Sequence, residues 1–282
     1  MPSLVIHPLT QQRLTNFVRT PSHALLIVGP AGIGKQSIAY QLTAELMNIS
    51  LDQVTAHQYV RIVSAGKEKS IAIEKIRELE QFLSRKVPGN GTRVVLINDA
   101  HLLGTEAQNA LLKTLEEPPE STTLILSVAH EQALLPTILS RAPVLSVLRP
   151  DAGLVKTYFI AAGYDEKLIA RANAMSGGLP GLMSAILSDE NDHPLVQAAG
   201  IARQIAQGAM FDRLVIVDGL SKDREQCLVV LNVLQQMARV SMRAGNMADS
   251  WQRILKGSHQ AIGELQGSGQ PKLVLTNLML NL

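Results

Sequence analysis

Short apolar runs alternate with helical periodicities through the first half of the chain. Ala24 to Val28 is wholly apolar and closes at Gly29, the pattern of a strand buried on both faces of a parallel sheet. A glycine-rich turn follows, then a helical pattern from Lys35 to Met47. Tyr59 to Val63 predicts a second strand. Ile73, Ile76, Leu79, Phe82 and Leu83 mark one face of a helix that Pro88-Gly89-Asn90-Gly91 breaks. Arg93 to Ile97 predicts a third strand and Thr105 to Glu116 a helix closed by Pro118-Pro119. Thr123 to Ser127 and Val144 to Leu148 predict a fourth and a fifth strand. This alternation predicts an α/β fold with a parallel sheet.

After Arg149-Pro150 the strand signals stop. Asp151 to Asp189 reads as small helices interrupted by Gly163 and by Gly177-Gly178-Leu179-Pro180-Gly181, and the polar stretch Ser188 to Pro194 as a linker. From Leu195 onward the pattern is helical. Leu228, Leu231, Leu234 and Met237 share a helix face between Lys222 and Ala244, and Pro271 suits the first turn of a last helix reaching Leu282.

Composition narrows the classes. A length of 282 residues corresponds to two domains at about 150 residues each. A net charge of +2 speaks against a chain that holds nucleic acid by charge alone, and 3% aromatic residues against base-stacking platforms. One cysteine, Cys227, excludes an intramolecular disulfide and any cysteine-rich zinc site, and it reads as a small core residue. The seven histidines show no metal-ligand spacing, and the nine methionines read as core filler. The start of the chain lacks the features of a targeting signal and no apolar run approaches a membrane span, so a cytoplasmic protein is expected. The sequon Asn90-Gly91-Thr92 therefore carries no weight, and Lys67-Glu68-Lys69 reads as a solvated loop.

Chemistry concentrates in Gly29-Pro30-Ala31-Gly32-Ile33-Gly34-Lys35, between an apolar strand and a helix. That context defines a phosphate loop, in which main-chain N–H groups surround phosphate and the lysine reaches its oxygens. The hydroxyl that should follow the lysine and hold Mg²⁺ is replaced by Gln36. Ser37 lies one residue too late, since one helical step rotates a side chain by about 100°. The third strand runs into Asn98-Asp99-Ala100-His101, which has one carboxylate where a metal-holding and water-orienting pair is expected. From the residues alone, the register leaves open which of the two roles Asp99 fills.

Two further segments carry a family resemblance. Asn109-Ala110-Leu111-Leu112-Lys113-Thr114-Leu115-Glu116-Glu117-Pro118-Pro119 and Pro136-Thr137-Ile138-Leu139-Ser140-Arg141-Ala142 resemble motifs of the bacterial clamp-loader AAA+ subunits, with Ala142 in place of the family's cysteine. The resemblance runs from about Ser22 to Arg149, weakens beyond, and returns in Pro271 to Leu278. It implies an AAA+ P-loop domain over 1–150, a small helical lid over 151–190 and an all-α collar that oligomerises over 191–282. Counted back from Asn109, the family's metal-binding Asp falls on Asn98 and its water-orienting Glu on Asp99. The sensor position falls on Val128 or Ala129, and the lid arginine on Pro180. With Gln36, four nucleotide-processing positions are altered, and the chain is similar to the non-hydrolysing delta-prime branch.

The resemblance also implies partners and a role. The partners are the gamma/tau ATPase subunits, the delta subunit, the sliding clamp indirectly, and primer-template DNA through the assembly. Arg141 falls on the arginine finger, a guanidinium that reaches a neighbouring subunit's ATP; on the residues alone it is a surface arginine capping a helix. Glu116-Glu117 reads as closing its helix and helping to pack a subunit interface. The retained Gly34-Lys35 leaves phosphate, ADP or ATP at the loop as an expectation. The family's four-cysteine zinc module has no counterpart between Leu46 and Tyr59, so no zinc is expected. The alternatives are an active AAA+ ATPase, which Gly34-Lys35 and Asp99 favour, and a stand-alone DNA-binding protein, which the near-neutral charge disfavours.

Overall fold

The apolar runs become the strands of one parallel sheet. The computed structural model describes residues 4–66, 70–89, 91–188, 193–243, 245 and 248–282. The Lys67–Lys69 loop, Asn90 of the sequon and residues 189–192 of the linker lie outside them. Contacts divide the chain into two compact units, residues 1–150 and 151–282.

In the first unit α1 (Pro8–Arg19) precedes β1 (Ala24–Val28) and α2 (Lys35–Met47). β2 (Val60–Val63), α3 (Ile73–Leu83), β3 (Arg93–Ile97), α4 (Thr105–Glu116), β4 (Thr122–Val128), α5 (Pro136–Leu139) and β5 (Val144–Ser146) follow. The strand order is β2-β3-β4-β1-β5, and all pairs are parallel. Successive side chains of a strand point to opposite faces, so each strand feeds two layers. Leu26, Ile97, Leu124 and Leu126 share a buried cluster with Ile76 and Leu79 of α3, Leu111 and Leu115 of α4, and Ile138 of α5. Leu25, Ile27, Val94, Leu96 and Ile125 are buried on the other face, where α2 lies against β1, β3 and β4.

The bounds of β1, α2, β3 and α4 match the sequence reading. β5 is two residues shorter than expected, and its two flanking positions, Val144 and Ser146, are exposed. The helices α1 and α5 have no counterpart in the reading. α1 starts at Pro8 behind His7, whose Nδ1 accepts the N–H of Leu9 at 3.1 Å. His193 caps a later helix in the same way, through the N–H of Leu195 at 3.2 Å.

The second unit is all helical: α6 (Ala152–Ala161), α7 (Glu166–Ser176), α8 (Pro180–Leu187), α9 (Pro194–Gln207), α10 (Met210–Leu220), α11 (Arg224–Arg243), α12 (Ala248–Gln266) and α13 (Pro271–Leu280). α11 is its hub and packs against α7, α9, α10 and α12. Arg224 opens α11 and donates to the carbonyls of Leu265, Gly267 and Gly269 at 2.7–2.9 Å, which ties the end of α12 to the start of α11. Cys227 is buried, with its thiol donating to Leu220 O at 3.1 Å, and burial pushes its pKa up to about 11. Met183, Met237 and Met279 are buried, but Met210 is 58% exposed, so the methionines are not uniformly core. Among the described residues no helix is long and apolar enough to cross a membrane.

One buried cation fastens the first unit. Arg93 begins β3 and is almost wholly buried. Its Nη1 donates to Phe82 O (2.9 Å) and Arg85 O (2.8 Å), its Nε to Thr122 Oγ1 (3.1 Å), and its guanidinium lies over the Phe82 ring. A cation thus satisfies carbonyls at the carboxyl end of α3, where the helix dipole favours positive charge. Arg93→Met keeps the apolar stem and strands these acceptors. It is expected to lower unfolding free energy by about 2–3 kcal/mol, measured by urea denaturation.

Candidate functional site

β1 leaves the sheet at its carboxyl end, and the chain turns at Gly29. Val147, just past β5, donates its N–H to Val28 O at 2.7 Å. A Cβ on Gly29 would stand 3.1 Å from Ile33 Cγ2 and 3.3 Å from Val147 Cβ, so a side chain here would crowd Ile33 and Val147 and make them give by a few tenths of an ångström. Gly32 and Gly34 have φ of 84° and 100°. Gly34 is the N-cap of α2 in a conformation closed to most L-residues, and no side chain caps the first turn of that helix. The amino end of α2 therefore presents main-chain donors where an anion is favoured.

Lys35 folds back into this loop. Its Nζ donates to Gly29 O at 2.7 Å and Pro30 O at 3.3 Å, and the residue is 8% exposed. Burial brings its pKa down from 10.5 to about 8, an effect that the Asp99 carboxylate partly opposes. Asp99 lies just beyond the end of β3 at φ 51° and ψ 52°. Its N–H is bonded to Ser127 Oγ at 3.2 Å. Asn98 is buried and extends the β2–β3 ladder through its N–H to Val63 O at 2.9 Å.

The structure thus gathers Gly29, Gly32, Gly34, Lys35, Asn98 and Asp99 at the carboxyl edge of the sheet. Gln36 and Ser37 are exposed on α2, and Gln36 Nε2 donates to Tyr40 Oη at 3.0 Å, one turn along the helix. A phosphate group finds main-chain donors and an ammonium here. A magnesium ion does not find its usual ligands: the hydroxyl position is Gln36, engaged with Tyr40, and Asn98 offers a neutral amide. Among the described residues no group of three or more His, Cys, Asp or Glu could hold a metal ion.

Val128 is buried, its carbonyl accepts the N–H of Gly29 at 3.2 Å, and Ala129 is half-buried. The polar group of this register is Ser127, whose bond to Asp99 the sequence reading did not identify. Its signal was available: a hydroxyl inside a buried strand needs a partner. Pro180 is the first residue of α8 and is buried.

Arg141 belongs to the other edge of the sheet. Leu26 N–H donates to Pro143 O at 2.8 Å, so Arg141 lies beyond the amino end of β1, while the phosphate loop leaves its carboxyl end. Five strand residues separate the two ends by roughly 16 Å, beyond the reach of one side chain. Arg141 Nη1 donates to Thr137 O (3.0 Å) and Ser140 Oγ (3.1 Å), and Nη2 pairs with Glu116 Oε1 at 2.7 Å. The helix-capping contact and the exposure are therefore both present, with the Arg141 side chain 35% exposed. Gln108 is a further residue without a place in the reading. Its side chain bridges Leu103 O and Leu135 N–H at 3.1 and 2.9 Å, fixing the chain that leads into α5.

A parallel sheet of this order, with a phosphate loop after β1 and a helical second unit, defines an AAA+ type of P-loop fold. A solved gamma subunit-related protein of DNA polymerase III from Thermotoga maritima has the same fold, with a TM-score of 0.56 at 16% identity, covering 96% of this chain and 97% of that one. The family model described as DNA polymerase III, delta subunit, matches residues 7–151. The DNA polymerase III subunit delta' of Pseudomonas aeruginosa is 28% identical over 250 residues, 83% of this chain and 66% of that protein. The tau/gamma subunit of Haemophilus influenzae is 30% identical over 266 residues, 86% of this chain and 33% of that protein. The chain thus spans just under two thirds of the length of the first relative and a third of the second. It belongs to the delta-prime family of DNA polymerase III clamp-loader subunits.

The Lys35 environment has a measurable signature. The folded state disfavours the charged ammonium, so the penalty is complete below pH about 8 and is relieved as pH rises toward 10.5. By NMR of methylated lysines, Lys35 is expected to titrate near pH 8. In Asp99→Asn, which the left-handed backbone accepts, the midpoint moves lower still.

Proposed function

We propose that this chain is the stator of a DNA polymerase III clamp loader, helping to place a sliding clamp on primed DNA while leaving nucleotide hydrolysis to its neighbours. It sits between gamma/tau-type ATPase subunits and the delta subunit in the cytoplasm, and meets primer-template DNA through the assembly. Residues 1–150 act as the nucleotide-binding-like domain, 151–190 as a lid and 191–282 as the collar that holds the ring. Arg141 is the arginine finger and acts in trans.

The observation that carries this reading is the position of Arg141. It stands at the sheet edge opposite its own phosphate loop and is partly exposed, which removes it from its own nucleotide and supports a role on another subunit's. A guanidinium supplied this way stabilises charge on the transferred phosphoryl oxygens. The home site supports the same division of labour. Gln36 and Asn98 stand where metal ligands are needed, so the loop is read as taking phosphate, ADP or ATP without turning it over. Lys35 and Asp99 favour a second reading, an active ATPase, because the fold brings them together.

ATP turnover separates the two readings. The purified chain is expected to show none, and turnover abolished by Lys35→Ala would install the second reading instead. In a loader reconstituted with its cognate ATPase subunits, Arg141→Ala is expected to reduce DNA-stimulated ATPase severalfold. Fingers supplied in trans contribute roughly 10³–10⁵ at a single site, and here one site of several is affected. Unchanged loader activity would remove Arg141 from the mechanism.

A further inference from the structure

The ion pair that holds Arg141 comes from Glu116, read from the sequence only as a residue that closes its helix and packs a subunit interface. Glu116 is the last residue of α4, and Arg141 follows α5, 25 positions later in the chain. Both lie at the amino edge of the sheet, Glu116 ahead of β4 and Arg141 ahead of β5. Oε1 of Glu116 meets Nη2 of Arg141 at 2.7 Å, the shortest of the guanidinium's three contacts. The other two, to Thr137 O and Ser140 Oγ, take both hydrogens of Nη1.

A guanidinium has five N–H donors in a rigid plane. Three are used, which leaves Nε–H and one hydrogen of Nη2. The carboxylate on one side and the end of α5 on the other fix the plane of the group while these two donors stay uncommitted. The side chain is 35% exposed, so the group can be approached by an anion from outside the domain. Arginine otherwise carries about 2 kcal/mol of rotamer entropy, and fixing it beforehand lowers the cost of ordering it against a phosphoryl group.

We propose that Glu116 is the positioning residue of the arginine finger: it holds Arg141 in one pose with two donors left for the phosphate oxygens of a nucleotide on the adjoining subunit. The proposal rests on reading Arg141 as a finger, and the two fail differently. Glu116 itself touches no nucleotide; it acts through Arg141. Lys113 and Glu117, its neighbours on the same turn, are not bonded to the guanidinium.

The test is steady-state ATPase of the reconstituted loader carrying Glu116→Ala, Glu116→Gln, Arg141→Ala or the double alanine variant, with assembly followed by size exclusion. Because the pair is exposed, Glu116→Ala is expected to lower kcat by about twofold, and by less than Arg141→Ala does. KM for ATP and assembly should not change. Glu116→Gln keeps an acceptor oxygen without its charge and should fall between alanine and the parent. Glu116→Ala should add nothing to Arg141→Ala, since the carboxylate has no other route to the reaction. An unchanged or raised kcat in Glu116→Ala, with Arg141→Ala impaired, overturns the positioning role and leaves the finger standing. Full additivity in the double variant, or failed assembly of both Glu116 variants, overturns it as well by making Glu116 a structural residue. Unchanged activity in Arg141→Ala overturns the finger reading beneath it.

Discussion

An all-parallel sheet has two unlike edges, and the first unit depends on that asymmetry. Every strand points the same way, so every segment leaving a strand emerges at one edge and every segment approaching a strand arrives at the other. The phosphate loop follows β1, Asn98 and Asp99 follow β3, and Ser127 stands near the end of β4. Their meeting needs no contact of its own; it follows from strand direction. Glu116 and Arg141 precede β4 and β5 and meet at the opposite edge for the same reason. Strand length keeps the two groups apart, so one domain can keep a phosphate loop and offer an arginine without the two interacting.

Packing supplies the stiffness this arrangement needs. Residues of β1, β3 and β4 are buried on both faces, and each face has its own helical cover. At the ends of the helices, where main-chain groups are left without partners, cations and histidines serve beside hydroxyls and aspartates. Arg93 serves α3, Arg141 serves α5, Arg224 serves α12, and His7 and His193 serve the starts of α1 and α9. Of these cations Arg93 is buried, while Arg141 keeps part of its surface exposed.

Where the chain could be read in advance, the reason is local. α2, β3 and α4 are bounded by residues that stop an element, and β3 is an unbroken apolar run from Val94 to Ile97, so their bounds emerge to the residue. α1 did not emerge because it buries only Thr10 and Leu14 and leaves Leu9 half exposed. α5 spans four residues, too few for any period to show. The phosphate loop is legible because glycine, lysine and the flanking strand are contiguous. The bonds that finish the sites are not contiguous. Asp99 with Ser127 and Glu116 with Arg141 join positions 28 and 25 residues apart. A sequence records that each group exists but not which partner the sheet brings beside it.

Lys35 gives the loop an occupant of its own. The ammonium has three hydrogens, and it already donates to the carbonyls of Gly29 and Pro30. One donor is left over, and drawing the lysine fully onto an anion would cost the two main-chain bonds. The hold of the loop on an anion is therefore coupled to the shape of its own turn.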